Sequence, residues 1–64
     1  MLTIGEKIVY LRLQRYMSRE DLAAALNVNR TTVFRWEKNK VTPSEMNLIQ
    51  ICRYFKIDKH FFDD

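Results

Sequence analysis

The sequence predicts an all-α fold, a compact bundle of five helices, on three observations. Its 64 residues include one glycine and one proline, too few for a turn-rich β protein or a disordered chain. Apolar residues make up 47% of the chain, which at this length supplies one core but not two. Helix-start signals recur along the chain, and apolar residues follow them at helical spacing. We therefore expect residues 1–64 to form a single domain.

Cap residues predict where the helices begin. Three starts combine a hydroxyl with a carboxylate three residues later: Thr3 with Glu6, Ser18 with Asp21, and Thr42 with Glu45. Pro43 would then take the first position of the fourth helix, and Asn29 and Asp58 can cap two further helices. The predicted helices span residues 4–15, 19–26, 30–38, 43–55 and 59–62.

Apolar spacing predicts which faces of the helices are buried. In the first helix, Ile4, Ile8 and Leu11 recur at intervals of four and three residues. The fourth helix repeats this pattern with Leu48, Ile49, Cys52 and Phe55. The second helix is rich in alanine over residues 22–26, which lets a neighbouring helix approach closely. Because Cys52 is the single cysteine, an internal disulfide is excluded, and we expect it to pack as a small core residue.

The charges are unevenly distributed. The chain has 11 Lys and Arg against 8 Asp and Glu, a net charge of +3. Residues 30–40 contain four cations and one anion, whereas the tail from Asp58 carries Asp63 and Asp64. A basic segment beside an acidic end predicts that one side of the molecule faces phosphates.

The sequence lacks the patterns that are typical of several classes of protein. No apolar run approaches the ~20 residues that cross a bilayer, and Glu6 in the first turn is unlike a signal peptide, so we expect a cytoplasmic protein with no membrane partner. The sequence has no nucleophile, paired-carboxylate or glycine-rich phosphate pattern, so we expect neither an enzyme nor a cofactor. His60 is the single histidine, and with no Cys or carboxylate pair at ligand spacing around it, no metal site is expected.

The segment between the second and third predicted helices indicates a tight corner. Asn27 can take the left-handed conformation that ends a helix, Val28 can fill the corner, and Asn29 can cap the next helix. Two helices joined by about three residues form a helix-turn-helix.

The third predicted helix has two unlike faces. At 100° per residue, Val33, Trp36 and Glu37 share the inward face. The outward face and its flanks carry Arg30, Thr31, Phe34, Arg35 and Lys38. Arginine can bond guanine bidentately, threonine can bond a base edge, and phenylalanine can pack on a thymine methyl. The outward face therefore predicts a surface that reads bases in the major groove, while Phe34 could also pack on the second helix or serve a protein interface.

The chain resembles the Cro and phage-repressor family of helix-turn-helix proteins, whose domains are lambda-repressor-like. The residues that carry the resemblance are Leu22-Ala23, Val28, Val33, Trp36-Glu37 and Pro43, within a match from about Ile4 to Phe62. The resemblance implies five helices, with the third as the recognition helix, and a palindromic operator in double-stranded DNA that a homodimer reads. It also implies a transcriptional regulator, a repressor, of prokaryotic or phage origin that works on the nucleoid.

The resemblance and the outward face together assign roles to individual residues. Base contacts are expected from Arg30, Thr31, Phe34 and Arg35. Phosphate contacts are expected from Ser18, Arg19, Thr32, Lys38, Asn39 and Lys40. Arg12 and Glu37 stand where the family has a structural ion pair, and a partner is needed because an unpaired, half-buried carboxylate would be costly.

Some positions depart from the family pattern. Tyr16, Asn27 and Asn39 stand where glycine is usual; asparagine tolerates a positive φ, whereas tyrosine does so less readily. Arg19 and Arg35 replace glutamine, so the operator sequence of a relative cannot be transferred to this chain.

The neighbouring rings of Phe61 and Phe62 cannot both point inward. One is expected to complete the core, and the other is a candidate contact between two copies of the chain. The alternative to a DNA-binding regulator is a protein-interaction module of the same fold, such as an antitoxin, an anti-repressor or a scaffold. Salt dependence separates the two predictions, because phosphate contacts release counterions.

Overall fold

Four α-helices and one 3-10 turn make up the regular structure of residues 1–63, which are those that the computed structural model describes. The α-helices are α1 (Ile4–Gln14), α2 (Arg19–Leu26), α3 (Arg30–Glu37) and α4 (Glu45–Phe55). The all-α prediction is confirmed, but the count of five is corrected, because Lys59–Phe62 forms one four-residue 3-10 turn. Asp64, part of the predicted acidic tail, lies outside the described residues.

The starts of α1 and α2 are the predicted capping boxes. At α1, Glu6 N donates to Thr3 Oγ1 at 3.1 Å and Thr3 N donates to Glu6 Oε1 at 2.8 Å. At α2, Asp21 N donates to Ser18 Oγ and Ser18 N donates to Asp21 Oδ2, both at 2.9 Å. Each pair satisfies two backbone N–H groups that the helix leaves without a partner.

The predicted start of α4 is wrong by two residues. Ser44, not Thr42, is the cap, and its Oγ accepts from Asn47 N at 3.2 Å. Asn47 Oδ1 accepts from Ser44 N at 3.4 Å, so an amide takes the place of the expected Glu45 carboxylate. Pro43 is buried ahead of the helix instead of forming its first turn.

The other two predicted caps differ from each other. Asn29 occupies the position before α3 with an extended backbone, but its side chain makes no capping hydrogen bond. Asp58 does cap the 3-10 turn, since its Oδ1 accepts from His60 N at 2.8 Å.

All four α-helices end in the same way. A non-glycine residue with φ between 56° and 58° follows each helix: Tyr16, Asn27, Asn39 and Lys56. The next N–H then turns back to a carbonyl inside the helix, as when Val28 N donates to Ala23 O at 2.9 Å and Lys40 N donates to Arg35 O at 2.9 Å. These are Schellman ends, which normally use glycine. They explain how a chain with one glycine still turns sharply after every helix.

The core lies where the four helices meet. Ile8, Leu22, Val33 and Ile51, one from each α-helix, are fully buried. The stripe predicted on α1 is confirmed, with Ile8 and Leu11 buried and Ile4 partly buried against the core. Cys52 is buried as predicted, and burial raises the pKa of its thiol.

The predicted buried face of α4 needs a correction. Ile51 is fully buried, whereas Ile49 is only half-buried and lies outside the core cluster. Because Ile49 and Ile51 are two residues apart, they lie on different sides of the helix, and the packing of α4 decides which faces inward. At the C-terminal turn, Phe62 completes the core and Phe61 remains partly exposed.

The first turn of α1 approaches the end of α3 closely. A Cβ added to Gly5 would lie 2.6 Å from the backbone oxygen of Glu37 and would also clash with that of Trp36. The absence of a side chain at Gly5 therefore lets α1 support α3 from behind. Within residues 1–63, no helix is long and apolar enough to span a membrane.

Candidate nucleic-acid interface

The third helix is anchored from behind and exposed in front. Val33, Trp36 and Glu37 are buried, with exposed fractions of 0%, 3% and 6%. The side chains predicted for the outward face are all exposed: Arg30, Thr31, Phe34, Arg35 and Lys38. Because the buried face fixes the helix against the core, the outward face is presented as a rigid surface.

The corner before α3 has the geometry that the sequence predicts. Asn27 is left-handed, with φ 57° and ψ 46°, and Val28 is partly buried against the core. Asn29 is extended and passes directly into α3. Only these three residues separate α2 from α3, so the C-terminal end of α2 stays close to the N-terminal end of α3.

A cleft of about 510 Å³ opens between the first turns of α2 and α3. Its lining residues are Arg12, Ser18, Arg19, Glu20, Arg30, Thr31 and Phe34. Five of them are predicted DNA contacts, from both the base and the phosphate sets. The structure thus places Ser18 and Arg19, at the start of α2, next to the exposed face of α3.

The remaining predicted contacts lie elsewhere on the surface. Arg35 and Lys38 are exposed on α3 but do not line the cleft, and Thr32 is half-buried. Lys40 is exposed in the turn after α3, where its backbone N–H bonds to Arg35 O. The cations of this second group continue the basic surface from the middle of α3 to the turn that follows it.

The side chain of Asn39 is engaged within the chain. Its Oδ1 accepts from Gly5 N at 3.1 Å, and its Nδ2 donates to Thr3 Oγ1 at 2.9 Å. An amide nitrogen has two hydrogens, so one N–H is left for a phosphate. The phosphate contact expected from Asn39 stays a prediction, and it would have to coexist with these two bonds.

Arg12, Arg19 and Glu37 form a partly buried ion cluster. Arg12 Nε lies 2.7 Å from Glu37 Oε2, and Arg12 Nη2 lies 3.2 Å from Glu37 Oε1. On the other side, Arg19 Nε lies 2.8 Å from Glu37 Oε1. The Glu37 side chain is only 1% exposed, so the pair expected from the resemblance is present and has an additional partner.

Sequence reasoning missed the second partner of Glu37. The sequence assigns Arg19 only to phosphate, because the resemblance implies a contact with the DNA backbone at this position. No local pattern joins residues 19 and 37, which are 18 positions apart and meet only when α2 packs on α3. Within residues 1–63, every buried side-chain nitrogen and oxygen has a hydrogen-bond partner.

The ring of Phe34 is the contact point of two cations. The guanidinium carbon of Arg19 lies 5.2 Å from the ring centroid, and Lys38 Nζ lies 5.7 Å from it. Both distances are in the range of cation–π interactions. Phe34 therefore packs toward α2 and also keeps 38% of its surface exposed.

The described residues include no candidate metal site. Within residues 1–63, no group of three His, Cys, Asp or Glu lies close enough to share an ion. His60 is exposed, and its Nδ1 lies 3.0 Å from Asp63 Oδ2.

A family model described as helix-turn-helix matches residues 8–62, most of the chain. The chain belongs to this helix-turn-helix family. It is the family of Cro and the phage repressors, as the resemblance in the sequence predicts. No curated protein matches the sequence.

Two solved structures are similar to this helix-turn-helix protein. The P22 c2 repressor in complex with a synthetic operator is 18% identical with a TM-score of 0.87, over 97% of this chain and 94% of the repressor chain. SinR, the master regulator for biofilm formation, in complex with DNA, is 25% identical with a TM-score of 0.87, over 97% of this chain and 100% of the SinR chain. The likeness to the P22 c2 repressor establishes the fold.

Proposed function

We propose that this helix-turn-helix protein is a sequence-specific transcriptional regulator, a repressor, that inserts α3 into the major groove of double-stranded DNA. The observation that carries the proposal is the division of α3 into a buried face and an exposed one. Val33, Trp36 and Glu37 anchor the helix, while arginine, threonine and aromatic side chains point away from the core. Side chains of these types read base edges and thymine methyl groups.

The site residues divide into two proposed roles. Arg30, Thr31 and Arg35 would read bases, and Phe34 belongs to the same exposed surface. Ser18, Arg19, Thr32, Lys38, Asn39 and Lys40 would hold the phosphates and set the position of α3 along the groove. The cleft between the starts of α2 and α3 supports a shared interface for the two roles, because Arg19 of the phosphate set and Arg30 of the base set line the same opening.

We further propose that the protein acts as a homodimer on a palindromic operator, with half-sites about 34 Å apart. Phe62 is part of the monomer core, so of the two C-terminal rings only Phe61 is available for a contact between copies. Phe61 stacks on Tyr10 with a centroid distance of 6.4 Å, and Tyr10 is 49% exposed. Residues 1–64 would work as one DNA-binding domain, without a catalytic role, in the cytoplasm of a bacterium or of a phage-infected cell.

Selection of duplexes from a random pool tests the proposal. A palindromic consensus is expected, and titration with the selected duplex should then show a steep loss of affinity with salt. Three of the proposed phosphate ligands in each chain are cations, Arg19, Lys38 and Lys40. A dimer would therefore neutralise six phosphates, and the expected loss between about 50 and 200 mM salt is of the order of 10³-fold. A chain that binds no duplex at about 50 mM salt would contradict the proposal.

The second candidate function is a protein-interaction module of the same fold. Exposed apolar side chains favour it, since Tyr10, Leu13 and Met46 are 49%, 55% and 63% exposed. An affinity for DNA that does not change with salt, or no affinity at all, would support this candidate instead.

A further inference from the structure

Arg19 is held in place by two groups at the edge of the cleft. Its Nε lies 2.8 Å from Glu37 Oε1, and its guanidinium lies 5.2 Å from the centre of the Phe34 ring. An arginine side chain on a surface normally loses considerable rotamer entropy when it binds a ligand. Two contacts that hold the guanidinium beforehand reduce that loss.

The charge of Arg19 is not needed to neutralise Glu37. Arg12 already meets both oxygens of that carboxylate, with Nε at 2.7 Å and Nη2 at 3.2 Å. The three side chains together therefore carry a surplus of one positive charge. Of the two arginines, Arg19 is the one that exposes its positive charge to solvent, because its side chain is 39% exposed and that of Arg12 only 10%.

Arg19 lines the cleft and keeps hydrogen-bond donors that Glu37 does not use. A guanidinium has five N–H groups, and the bond to Glu37 uses the one on Nε. Within residues 1–63, its two terminal nitrogens make no hydrogen bond. A fork of this kind, with a fixed plane and unused donors, suits a phosphate oxygen.

We infer that Phe34 is a positioning residue, which holds Arg19 ready for a DNA phosphate, and that it is not a reader of bases. The inference rests on the proposed function, since it assigns a different role to one residue of the same interface. It predicts that loss of the ring weakens binding to every DNA sequence alike. A ring that packs on a thymine methyl would instead affect only duplexes with that base.

A double-mutant cycle on Phe34 and Arg19 tests the inference. Dissociation constants are measured for the wild type, Phe34→Leu, Arg19→Ala and the double variant, with the selected duplex and with a scrambled one. Arg19→Ala should weaken binding to both duplexes by about tenfold and lower the salt slope by about one for each bound protomer. Phe34→Leu should weaken both by about threefold. The double variant should bind less than threefold worse than Arg19→Ala alone, because only the contact of the ring with Lys38 remains to be lost.

Two matched variants separate positioning from a general effect on the fold. Phe34→Tyr keeps the ring and should bind as the wild type does, while Phe34→Leu keeps only an apolar side chain of similar size. Phe34→Leu combined with Lys40→Ala should be additive, because Lys40 does not contact the ring. Thermal unfolding of each variant identifies any that is poorly folded.

Two results would overturn the inference while the wild type still binds DNA. One is additivity of Phe34→Leu with Arg19→Ala, and the other is a loss confined to the selected duplex. If the wild type itself binds neither duplex, the proposed function fails, and that outcome is distinct from both.

Discussion

Gly5 donates its backbone N–H to the side-chain oxygen of Asn39 at 3.1 Å, and so joins the first turn of α1 to the turn after α3. Asn39 Nδ2 also donates to Thr3 Oγ1 at 2.9 Å, so two hydrogen bonds form this connection. The end of the proposed recognition helix is therefore attached to the start of the chain. We therefore expect this attachment to stabilise the fold.

Gly5→Ala should destabilise the protein strongly. The new Cβ would lie 2.6 Å from Glu37 O and 2.8 Å from Asn39 Oδ1, and one of these neighbours is backbone that cannot rotate away. The expected loss is about 3 kcal/mol of unfolding free energy, although alanine is the better helix former. Urea denaturation measures it. Gln14→Ala, at an exposed position of the same helix, is the control and should be nearly neutral, and a Gly5→Ala variant as stable as that control would refute the close approach.

Glu37→Gln should be costly because it leaves two arginines without their carboxylate. Arg12 is the more buried of the two, with a side chain 10% exposed, and removing one partner of a buried pair costs about 3 kcal/mol or more. Glu20→Gln, an exposed carboxylate on α2, should change stability by less than about 0.5 kcal/mol. Equal unfolding midpoints for the two variants would mean that the cluster does not stabilise the fold.

Tyr16→Gly should stabilise the protein. Tyr16 has φ 56° and is 95% exposed, so its side chain contributes almost no packing to offset the left-handed backbone. Glycine relieves the strain of the left-handed conformation but gives the unfolded chain more conformational entropy. The expected net gain in unfolding free energy is about 0.5–1 kcal/mol, or a few degrees in Tm. Gln14→Gly, inside α1, is the matched control and should lower Tm. A fall in Tm for Tyr16→Gly as well would show that the left-handed conformation carries no strain.

Arg35→Ala and Lys40→Ala should affect DNA binding in different ways. Under the proposed function, loss of Arg35 removes a base contact, costs about 1–3 kcal/mol on the selected duplex and relaxes preference at one base pair. Loss of Lys40 removes a phosphate contact, so binding to all sequences weakens alike and the salt slope falls by about one for each bound protomer. Titration of both variants with matched and mismatched duplexes distinguishes the roles. An unchanged affinity in both would contradict the assignment.

Stability should fall in acid partly through the two capping boxes. Hydrogen bonds from the backbone and side chain of Thr3 hold the pKa of Glu6 below its ordinary value, and Ser18 does the same to the pKa of Asp21. A lowered folded-state pKa means that the ionised form favours the fold. This contribution is complete above about pH 5 and is lost as pH falls through the folded-state values.

The double variant Glu6→Gln, Asp21→Asn tests the acid prediction. Its Tm should fall less than that of the wild type between pH 7 and pH 3, because neither side chain can be protonated. Glu20→Gln, which lies outside both capping boxes, should follow the wild-type curve. Parallel Tm curves for the double variant and the wild type would refute the contribution of these carboxylates.

Local hydrogen bonds explain why much of the fold was predictable. The boxes at Thr3 and Ser18 and the left-handed Asn27 involve partners within a few residues, and the sequence shows them directly. The inward face of α3 was also predictable, since Val33 and Trp36 repeat at helical spacing. The start of α4 was not, because Thr42 and Ser44 are both acceptable caps and only packing, with Pro43 buried, selects one.

By itself, the sequence determined the all-α class, the corner at residues 27–29 and the set of side chains on the outward face of α3. Only the tertiary structure decided that Ile51 and not Ile49 enters the core, that Gly5 touches the end of α3, and that Arg19 shares Glu37 with Arg12. The physical reason is distance along the chain. Periodicity and caps record interactions over three or four residues, whereas contacts across 18 or 34 residues exist only after the helices pack.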